Sequence, residues 1–278
     1  DIDEFLPGDI LTKNKLIGLR DAVNQIHFPE NLEEDKTARR RLAFDEFFLL
    51  HLSSMERKSQ WEKSLTSNPY SVSSHKKDIQ EFWNKLPFIL TNAQKKVVGE
   101  IFKDLADKKP MNRLLDGDVG SGKTVVSAIA MFVSFLNEFQ SVLMAPTEIL
   151  AQQHYKTISD LLSPFKIKVA LATGSKKSFR NDTDVLVGTH AVLSEKINFN
   201  KLGLVVIDEQ QRFGVEQRAF IRQKGKNPHL LTMTATPIPR TIALTMYGDL
   251  DLSILDEMPK GRKYIKTWLV GPEKRNAA

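Results

Sequence analysis

Residues 117–124, with the sequence GDVGSGKT, restrict the fold of this chain more than any other segment. They follow an apolar run and precede a long apolar pattern with a helical period. Gly117, Gly120 and Gly122 permit tight wrapping of a backbone whose N–H groups then face one anion. The start of the following helix adds partial positive charge at the same place. The segment therefore predicts a strand, a phosphate-binding loop and a helix in direct succession.

The polar side chains of this loop are candidate ligands of a nucleotide. Lys123 supplies a full positive charge for the β- and γ-phosphates, and Thr124 supplies a hydroxyl for Mg²⁺. Ser121 belongs to the same loop and is assigned to the nucleotide as well. A glycine-rich turn can match this pattern by chance, but a strand before it and a helix after it favour nucleotide binding.

The region from residue 88 onward alternates short apolar runs with longer helical patterns. Helical patterns lie between most of the predicted strands, for example at 124–137 and 148–162. Near-continuous apolar strands separated by helices indicate a parallel sheet covered on both faces, an α/β fold that binds ligands at the carboxyl ends of its strands. The predicted strands are 113–116, 142–145, 169–172, 185–187, 204–207 and 230–233.

A second candidate site follows the predicted strand at 204–207. Asp208 is expected to bind Mg²⁺, usually through water, and Glu209 to polarise the attacking water. The alternative is an ordinary acidic turn after a strand, and only the preceding phosphate loop gives the pair its weight. His190, after the strand at 185–187, is either a general base or a polar residue at a strand end.

Residues 1–63 are predicted to be an all-helical extension. One helical pattern ends at Pro29, and Asn31 with Glu34 resembles a capping pair that opens a second helix. That helix is too rich in apolar residues to be stable alone in water, so it is expected to pack on something. The three arginines at 39–41 are interpreted as a solvated or carboxylate-paired face, with a nucleic-acid contact as the alternative. Residues 64–87 are predicted to be a serine-rich loop and a short helix.

Composition and charge exclude several classes of protein. The chain has no cysteine, which rules out disulfides, thiolate metal sites and a cysteine nucleophile. No apolar run approaches the ~18 residues of a membrane span. Up to residue 87 there are 13 Lys and Arg against 15 Asp and Glu, and after it 27 against 19. The basic excess of the second part is compatible with phosphate-rich partners.

Further motifs resemble those of superfamily 2 helicases, in the variant carried by the RecG family and, with small differences, by the Mfd translocases. The sequence DEQQRFG at 208–214 resembles their DExx box, although the glutamine at 211 replaces a histidine common in the RecG family. FILTNAQ at 88–94 is similar to the adenine-recognition motif, and APTEILAQQH at 145–154 to motif Ia. TATPIPR at 234–240 is similar to motif III with its extension. These motifs run in the order typical of the superfamily.

The resemblance implies a role for each matching residue. Gln94 would bind the adenine, with Phe88 stacked on it; otherwise Gln94 is an exposed residue at a helix start. The positions that would contact DNA are Thr147, Thr173, Gly174, Thr189 and His190. Thr147 and Thr189 are alternatively helix N-caps, and both roles can hold at once. Thr234, Thr236 and Arg240 would couple the nucleotide state to DNA; the two threonines are otherwise polar residues at a strand end.

The resemblance favours the RecG family over Mfd. The segment after the DExx box, the segment YGDLD at 247–251 with DEMPKGR at 256–262, and residues 1–63 all look like the RecG pattern. The implied protein is a bacterial, cytoplasmic, monomeric double-stranded-DNA translocase with ATP and Mg²⁺ as cofactors and no membrane partner. It would remodel branched DNA such as stalled forks and Holliday junctions, in repair and recombination.

Under this interpretation residues 88–278 are the first of two RecA-like motor domains. Motifs IV to VI and their arginine finger are not found in the chain, and neither are a second motor domain and a DNA-wedge domain. The chain, which begins at Asp1, is therefore expected to be a piece of a longer protein. Two alternatives remain: a transcription-coupled repair translocase of the Mfd kind, and a piece that by itself only binds nucleotide and DNA.

Overall fold

The computed structural model describes residues 2–64, 67–175, 178–209, 221, 224–235, 250–259 and 270. The chain divides into two compact units. A helical unit contains the N-terminal helices, and a sheet unit contains the described residues from Ser67 to Ala235 and from Leu252 onward. Thr236, Arg240 and most of the DExx box, residues 210–214, lie outside the described residues.

The helical unit consists of α1 (Gly8–Asn14), α2 (Leu19–His27) and α3 (Leu32–Ser64). Its predicted helical character is therefore observed. Asn31 caps α3, because its Oδ1 accepts hydrogen bonds from the N–H groups of Glu33 and Glu34, both at 3.0 Å. The Glu34 carboxylate in turn accepts from the N–H of Glu30 at 2.9 Å. The capping pair expected from the sequence thus forms, with the return bond one residue earlier than in a standard capping box.

The arginines at 39–41 are paired within the helical unit. Arg41 is fully buried, and its guanidinium contacts Glu4 at 2.7 Å and Asp45 at 2.9 Å. This hydrogen bonding lowers the pKa of the Glu4 carboxyl to about 2. Arg39 pairs with Asp35 at the surface, and Arg40 donates to a backbone carbonyl. The geometry agrees with the carboxylate-paired interpretation for Arg39 and Arg41.

Part of the apolar surface of α3 is exposed among the described residues. At least half of the surface of each of the following side chains is accessible: Phe47, Leu49, Leu50, Leu52 and Met55. The sequence predicted that this helix packs on something. The described residues of the helix that are buried are Ala38, Arg41, Asp45 and Ser54, so part of the helix does pack.

The sheet unit is built on a seven-stranded sheet with the order β3-β4-β2-β5-β6-β1-β7. The pairings among β1 to β6 are parallel. The strands are β1 (Asn112–Gly117), β2 (Gln140–Met144), β3 (Val169–Ala172), β4 (Val185–Gly188), β5 (Leu202–Asp208), β6 (His229–Thr234) and β7 (Asp251–Leu255). The six predicted strands are all present, with ends that differ by one or two residues. Strand β7 was not predicted from the sequence.

Helices cover the sheet, as the apolar strands predicted. They are α4 (Lys76–Lys85), α5 (Asn92–Leu105), α6 (Lys123–Leu136) and α7 (Glu148–Leu162). Phe82, Phe132 and Phe165 stack against one another in the larger core cluster. Full burial of such a ring contributes about 1.5–3 kcal/mol to stability, which applies to Phe82 and Phe132. A second cluster, with Val142, Val205 and others, involves the alternate residues of the same strands, so the sheet is buried on both faces.

The serine-rich segment before α4 packs on the sheet unit. Tyr70 is buried, and its hydroxyl lies 3.0 Å from the hydroxyl of Ser134 on α6. A 3₁₀ turn, Val72–His75, connects it to α4. Among the described residues, no helix is long and apolar enough to cross a membrane.

Candidate active site

The phosphate loop connects the end of β1 to the start of α6. Gly120 and Gly122 have φ angles of 85° and 97°, a region in which a side chain is strained. The N-cap of α6 is Gly122, and no side chain caps this helix. By contrast, α5 and α7 are capped by Thr91 and Thr147. No side chain thus occupies the first N–H groups of α6, and an anionic ligand at these groups stays a prediction.

Lys123 lies among carboxylates at this loop. Its ammonium donates to the backbone carbonyl of Gly117 and, at 3.1 Å, to that of Asp118. Burial lowers the pKa of Lys123, and the negative charges of Asp208 and Glu209 oppose this shift. The carboxylates that follow β5 are thus close enough to act on the lysine of the loop after β1.

Gln94 contacts the phosphate loop directly. Its Nε2 donates to the Ser121 carbonyl at 2.7 Å, and its Oε1 accepts from the N–H of Thr91 at 2.9 Å in a capping box. A Cβ added to Gly122 would lie 2.2 Å from this Nε2. Gln94 is buried, so the alternative of an exposed residue at a helix start is wrong. Its predicted contact with adenine stays a prediction.

Phe88 lies in the segment between α4 and α5. Its ring is 40% exposed and lines an open cavity of about 480 Å³, together with Trp83 and Lys95. An exposed aromatic face beside the start of α5 suits the predicted stacking on a base. From the segment after β7, Glu257 accepts hydrogen bonds from the N–H groups of Asn92 and, at 3.3 Å, Ala93. The N-terminus of α5 is thereby held by two segments distant in sequence.

Asp208, at the end of β5, is bound by a histidine of α7. The Nε2 of His154 lies 2.7 Å from Oδ2 of Asp208, and its Nδ1 lies 3.5 Å from the Thr124 hydroxyl. His154 and Asp208 are both largely buried. Thr124 and Asp208, the two residues predicted to bind Mg²⁺, therefore contact the same imidazole. His154 was not predicted from the sequence to belong to the site.

Glu209 has a left-handed backbone, with φ of 52°. Its Oε1 accepts a hydrogen bond from the N–H of Ala235 at 3.2 Å, just after β6. Thr234, the last residue of β6, is buried. A non-glycine residue with positive φ costs about 1 kcal/mol or more and is common at functional sites. The acidic pair at the end of β5 thus includes a strained backbone position, and the role of Glu209 as base stays a prediction.

The residues present fit a magnesium–nucleotide complex. No cluster of three or more His, Asp and Glu side chains suited to a metal ion exists in the described part of the chain. Magnesium is usually bound by one or two protein oxygens together with phosphates and waters, not by a complete protein cage. Thr124 and Asp208 supply such oxygens beside an uncapped helix N-terminus.

The predicted DNA-contacting residues follow β2, β3 and β4. Thr147, Gly174 and His190 are exposed. Thr173 and Thr189 are buried. Thr147 and Thr189 both accept a hydrogen bond from a backbone N–H as N-caps, and the N–H of Thr189 donates to the Ala172 carbonyl. The cap role of both threonines is therefore observed. It does not conflict with a DNA contact, and the DNA contacts of these five residues stay predictions.

The strand order separates the candidate residues into two groups along one sheet edge. The strands β5, β6 and β1 are adjacent and carry the predicted nucleotide residues. The strands β3, β4 and β2 form the other half and carry the predicted DNA residues. The helix α7 belongs to both groups, because Thr147 precedes its first turn and His154 lies two turns later. Residues seven positions apart lie on the same face of a helix. The spacing between Thr147 and His154 is therefore a sequence signal that could have identified His154 as part of the site.

Comparison with known proteins is consistent with this geometry. The family model for the DEAD/DEAH box helicases matches residues 91–245, more than half of the chain. The chain belongs to the DEAD/DEAH box helicase family. This membership agrees with the predicted parallel sheet, the phosphate loop and the Asp208–Glu209 pair, all of which lie in the matched range.

Relatives within the helicase family include proteins named ATP-dependent DNA helicase RecG. The chain is 48% identical to the one from Synechocystis sp. and 46% identical to the one from Thermotoga maritima, in each case over 99% of its length. It spans only 34% and 36% of those relatives. A solved structure of RecG bound to a three-way DNA junction matches all of the chain with a TM-score of 0.84 and 43% identity, and the match covers 38% of that protein.

The bacteriophage T4 helicase UvsW shares the fold at 17% identity, with a TM-score of 0.51. The architecture expected from the sequence, a RecA-like domain with a parallel sheet preceded by helices, is confirmed by the match to the RecG structure.

Proposed function

We propose that this chain is the ATP-binding motor half of a DNA helicase that remodels branched double-stranded DNA. Within it, the sheet unit binds and hydrolyses ATP, and the carboxyl ends of β2, β3 and β4 contact the DNA backbone. In the parent protein, hydrolysis would power movement along duplex DNA at stalled forks and Holliday junctions. The proposed setting is the bacterial cytoplasm, because the named relatives are bacterial, with the protein acting as a monomer.

One observation supports the ATPase proposal above the others. The structure brings Lys123 and Asp208, 85 positions apart in the sequence, to one polar centre around His154 and Thr124. The sheet order β5-β6-β1 produces this proximity. A phosphoryl-transfer site requires a cation for the phosphate, a hydroxyl and carboxylates. These groups lie together at one edge of the sheet.

Each residue of the proposed site has its own role in hydrolysis. In this proposal the loop N–H groups and Lys123 bind and orient the phosphates, and Glu209 accepts a proton from the attacking water. Gln94 and Phe88 position the base. Thr124 and Asp208 would hold Mg²⁺, which when bound neutralises charge on the phosphates. Each of these assignments is a proposal that follows from the geometry and the motifs.

The DNA substrate is proposed from similarity and charge. The solved RecG structure, which shares 43% identity with this chain, is bound to a three-way DNA junction. Residues 88–278 carry 27 Lys and Arg against 19 Asp and Glu, which favours binding to phosphate backbones. The curated relatives named above are RecG proteins, and this favours the branched-DNA proposal over a translocase of the Mfd kind.

The deciding experiment compares this chain with the longer parent protein. Nucleotide binding and ATPase activity of both are measured with and without forked DNA. The resemblance places an arginine finger in a second motor domain, and such a residue contributes about 10³–10⁵ in rate. We therefore expect the 278-residue chain to bind ATP and hydrolyse it slowly, whereas forked DNA strongly stimulates the parent. Fast, fork-stimulated turnover by the chain alone would contradict the proposed division of the motor.

A further inference from the structure

His154 connects two groups that the sequence places apart. It extends from α7 toward the first turn of α6 and toward the end of β5. Its Nε2 lies 2.7 Å from Oδ2 of Asp208, and its Nδ1 lies 3.5 Å from the Thr124 hydroxyl, at the long end of hydrogen bonding. Both His154 and Asp208 have side chains no more than about an eighth exposed, at 12% and 9%. The hydrogen bond between His154 and Asp208 is therefore partly shielded from water, and this shielding strengthens it.

The two contacts are compatible with a single tautomer of a neutral imidazole. A carboxylate only accepts, so Nε2 must donate to Asp208. In the neutral ring Nδ1 is then an acceptor, and the Thr124 hydroxyl donates to it. A hydroxyl that donates its proton to His154 directs its lone pairs elsewhere. The same ring thus orients the hydroxyl and one edge of the carboxylate together.

We propose that His154 is a positioning residue for magnesium, which orients the lone pairs of Thr124 and the carboxylate of Asp208 before the cation arrives. The proposal rests on the proposed ATPase function and deepens it. His154 itself does not bind the metal; it leaves the Oδ1 edge of Asp208 to face the cation or its water. Residues that hydrogen-bond to metal-ligating side chains fix the orientation of those side chains. Loss of such a residue typically lowers metal affinity about 10- to 100-fold.

A purely architectural role for His154 predicts a different outcome. If the imidazole only packed α7 against the sheet, its removal would lower stability without a specific effect on magnesium. If it occupied the space of the cation, its removal would raise magnesium affinity. The sign of the change in magnesium dependence therefore separates the three interpretations.

The test measures binding of a fluorescent ADP analogue to the 278-residue chain, first in EDTA and then with increasing MgCl₂. We expect His154→Ala to bind the analogue in EDTA as the unchanged chain does, because the phosphate loop is intact. The MgCl₂ concentration at half-effect should rise about 10- to 100-fold. His154→Gln keeps a donor for Asp208 and should recover part of the difference. Thr157→Ala, an exposed residue three positions later on α7, is the matched control and should not differ from the unchanged chain.

The outcomes are distinguishable from failure of the proposed function. An unchanged chain that does not bind the analogue under either condition overturns the ATPase proposal itself. If His154→Ala binds the analogue normally and needs the same MgCl₂ concentration as the unchanged chain, only the positioning role is overturned. A lower half-effect concentration of MgCl₂ in this variant also overturns only that role. Thermal unfolding of each variant verifies folding, and if His154→Ala does not fold, the intermediate shift expected for His154→Gln decides the question.

Discussion

Oε1 of Glu209 accepts a hydrogen bond from the backbone N–H of Ala235, which joins the end of β5 to the end of β6. The acidic residue predicted to activate water is thereby tied to the start of the segment that resembles motif III. A carboxylate fixed in this way has a defined position relative to the neighbouring strand. The contact gives a physical route by which movement after β6 would change the position of Glu209.

Replacement of Glu209 by glutamine separates chemistry from position. Glu209→Gln keeps an oxygen that can accept from Ala235, so nucleotide binding should be preserved, but the amide cannot take a proton. ATPase turnover of the parent protein should fall about 10²- to 10⁴-fold. Turnover measured at saturating ATP and forked DNA provides the test, and a normal rate would show that Glu209 is not the base.

Glu209→Ala serves as the comparison for that experiment. It removes both the proton acceptor and the contact with Ala235. We expect equally slow turnover, with an added change in how strongly DNA stimulates what remains. Identical DNA stimulation in the Ala and Gln variants would mean that the Ala235 contact has no coupling role.

Replacement of Lys123 by alanine should abolish nucleotide binding. The ammonium makes two hydrogen bonds to loop carbonyls and would instead bind phosphates, and charge-assisted bonds contribute about 1.5–3 kcal/mol each. We expect at least about 100-fold weaker binding of the nucleotide in a fluorescence titration. The midpoint of thermal unfolding should stay within about 4 °C, since Lys123 is only partly buried and its two contacts are to loop carbonyls. Lys103→Ala, an exposed lysine on α5, is the control; unchanged affinity in Lys123→Ala would contradict the site.

Two glycine substitutions test the contact between the phosphate loop and Gln94. Gly122→Ala should lower the free energy of unfolding by about 1–3 kcal/mol, because φ is 97° and the new Cβ would collide with Nε2 of Gln94. Gly99→Ala should raise it by about 0.5–1 kcal/mol, because Gly99 lies in α5 with open space around it. Urea unfolding measures both. Equal effects of the two substitutions would contradict the described loop geometry.

The sheet unit should lose stability in acid through His229. Burial lowers the pKa of this imidazole to about 4, from an ordinary value of 6.5. Its Nδ1 accepts from the N–H of Met111 at 3.0 Å, and its ring packs edge-on against Tyr70. Below pH 6.5 the imidazole of His229 binds a proton in the unfolded chain but stays neutral in the folded chain until the pH reaches about 4. The stability present above pH 6.5 is therefore lost progressively as the pH falls through about 4, and the loss amounts to about 3 kcal/mol.

Urea midpoints between pH 7 and pH 4 measure this loss, with His229→Asn as the comparison. Asparagine can accept from Met111 through its side-chain oxygen but does not titrate in this range. We expect a flatter pH dependence in the variant. The same slope in both proteins would show that His229 does not cause the acid sensitivity.

Much of the architecture could be predicted from local sequence. Short apolar runs such as the one in β5 give buried parallel strands, and Asn31 with Glu34 gives a helix start, because both patterns act over a few residues. The strand β7 was missed because its two faces differ: Ser253 and Leu255 are buried, whereas Ile254 is exposed. An edge position relaxes the apolar pattern that identified the other strands.

The sequence by itself determined the phosphate loop, the identity of the acidic pair and the carboxyl edge at which they would meet. Only the tertiary structure decided which side chains share that edge. Strand order places β5 beside β6 and β6 beside β1, and this order brings Asp208, His154 and Thr124 together. It also buries Gln94, in the first turn of α5, against the loop at Ser121. Backbone preferences and periodicity are local properties, whereas contacts between segments depend on the packing of the whole sheet.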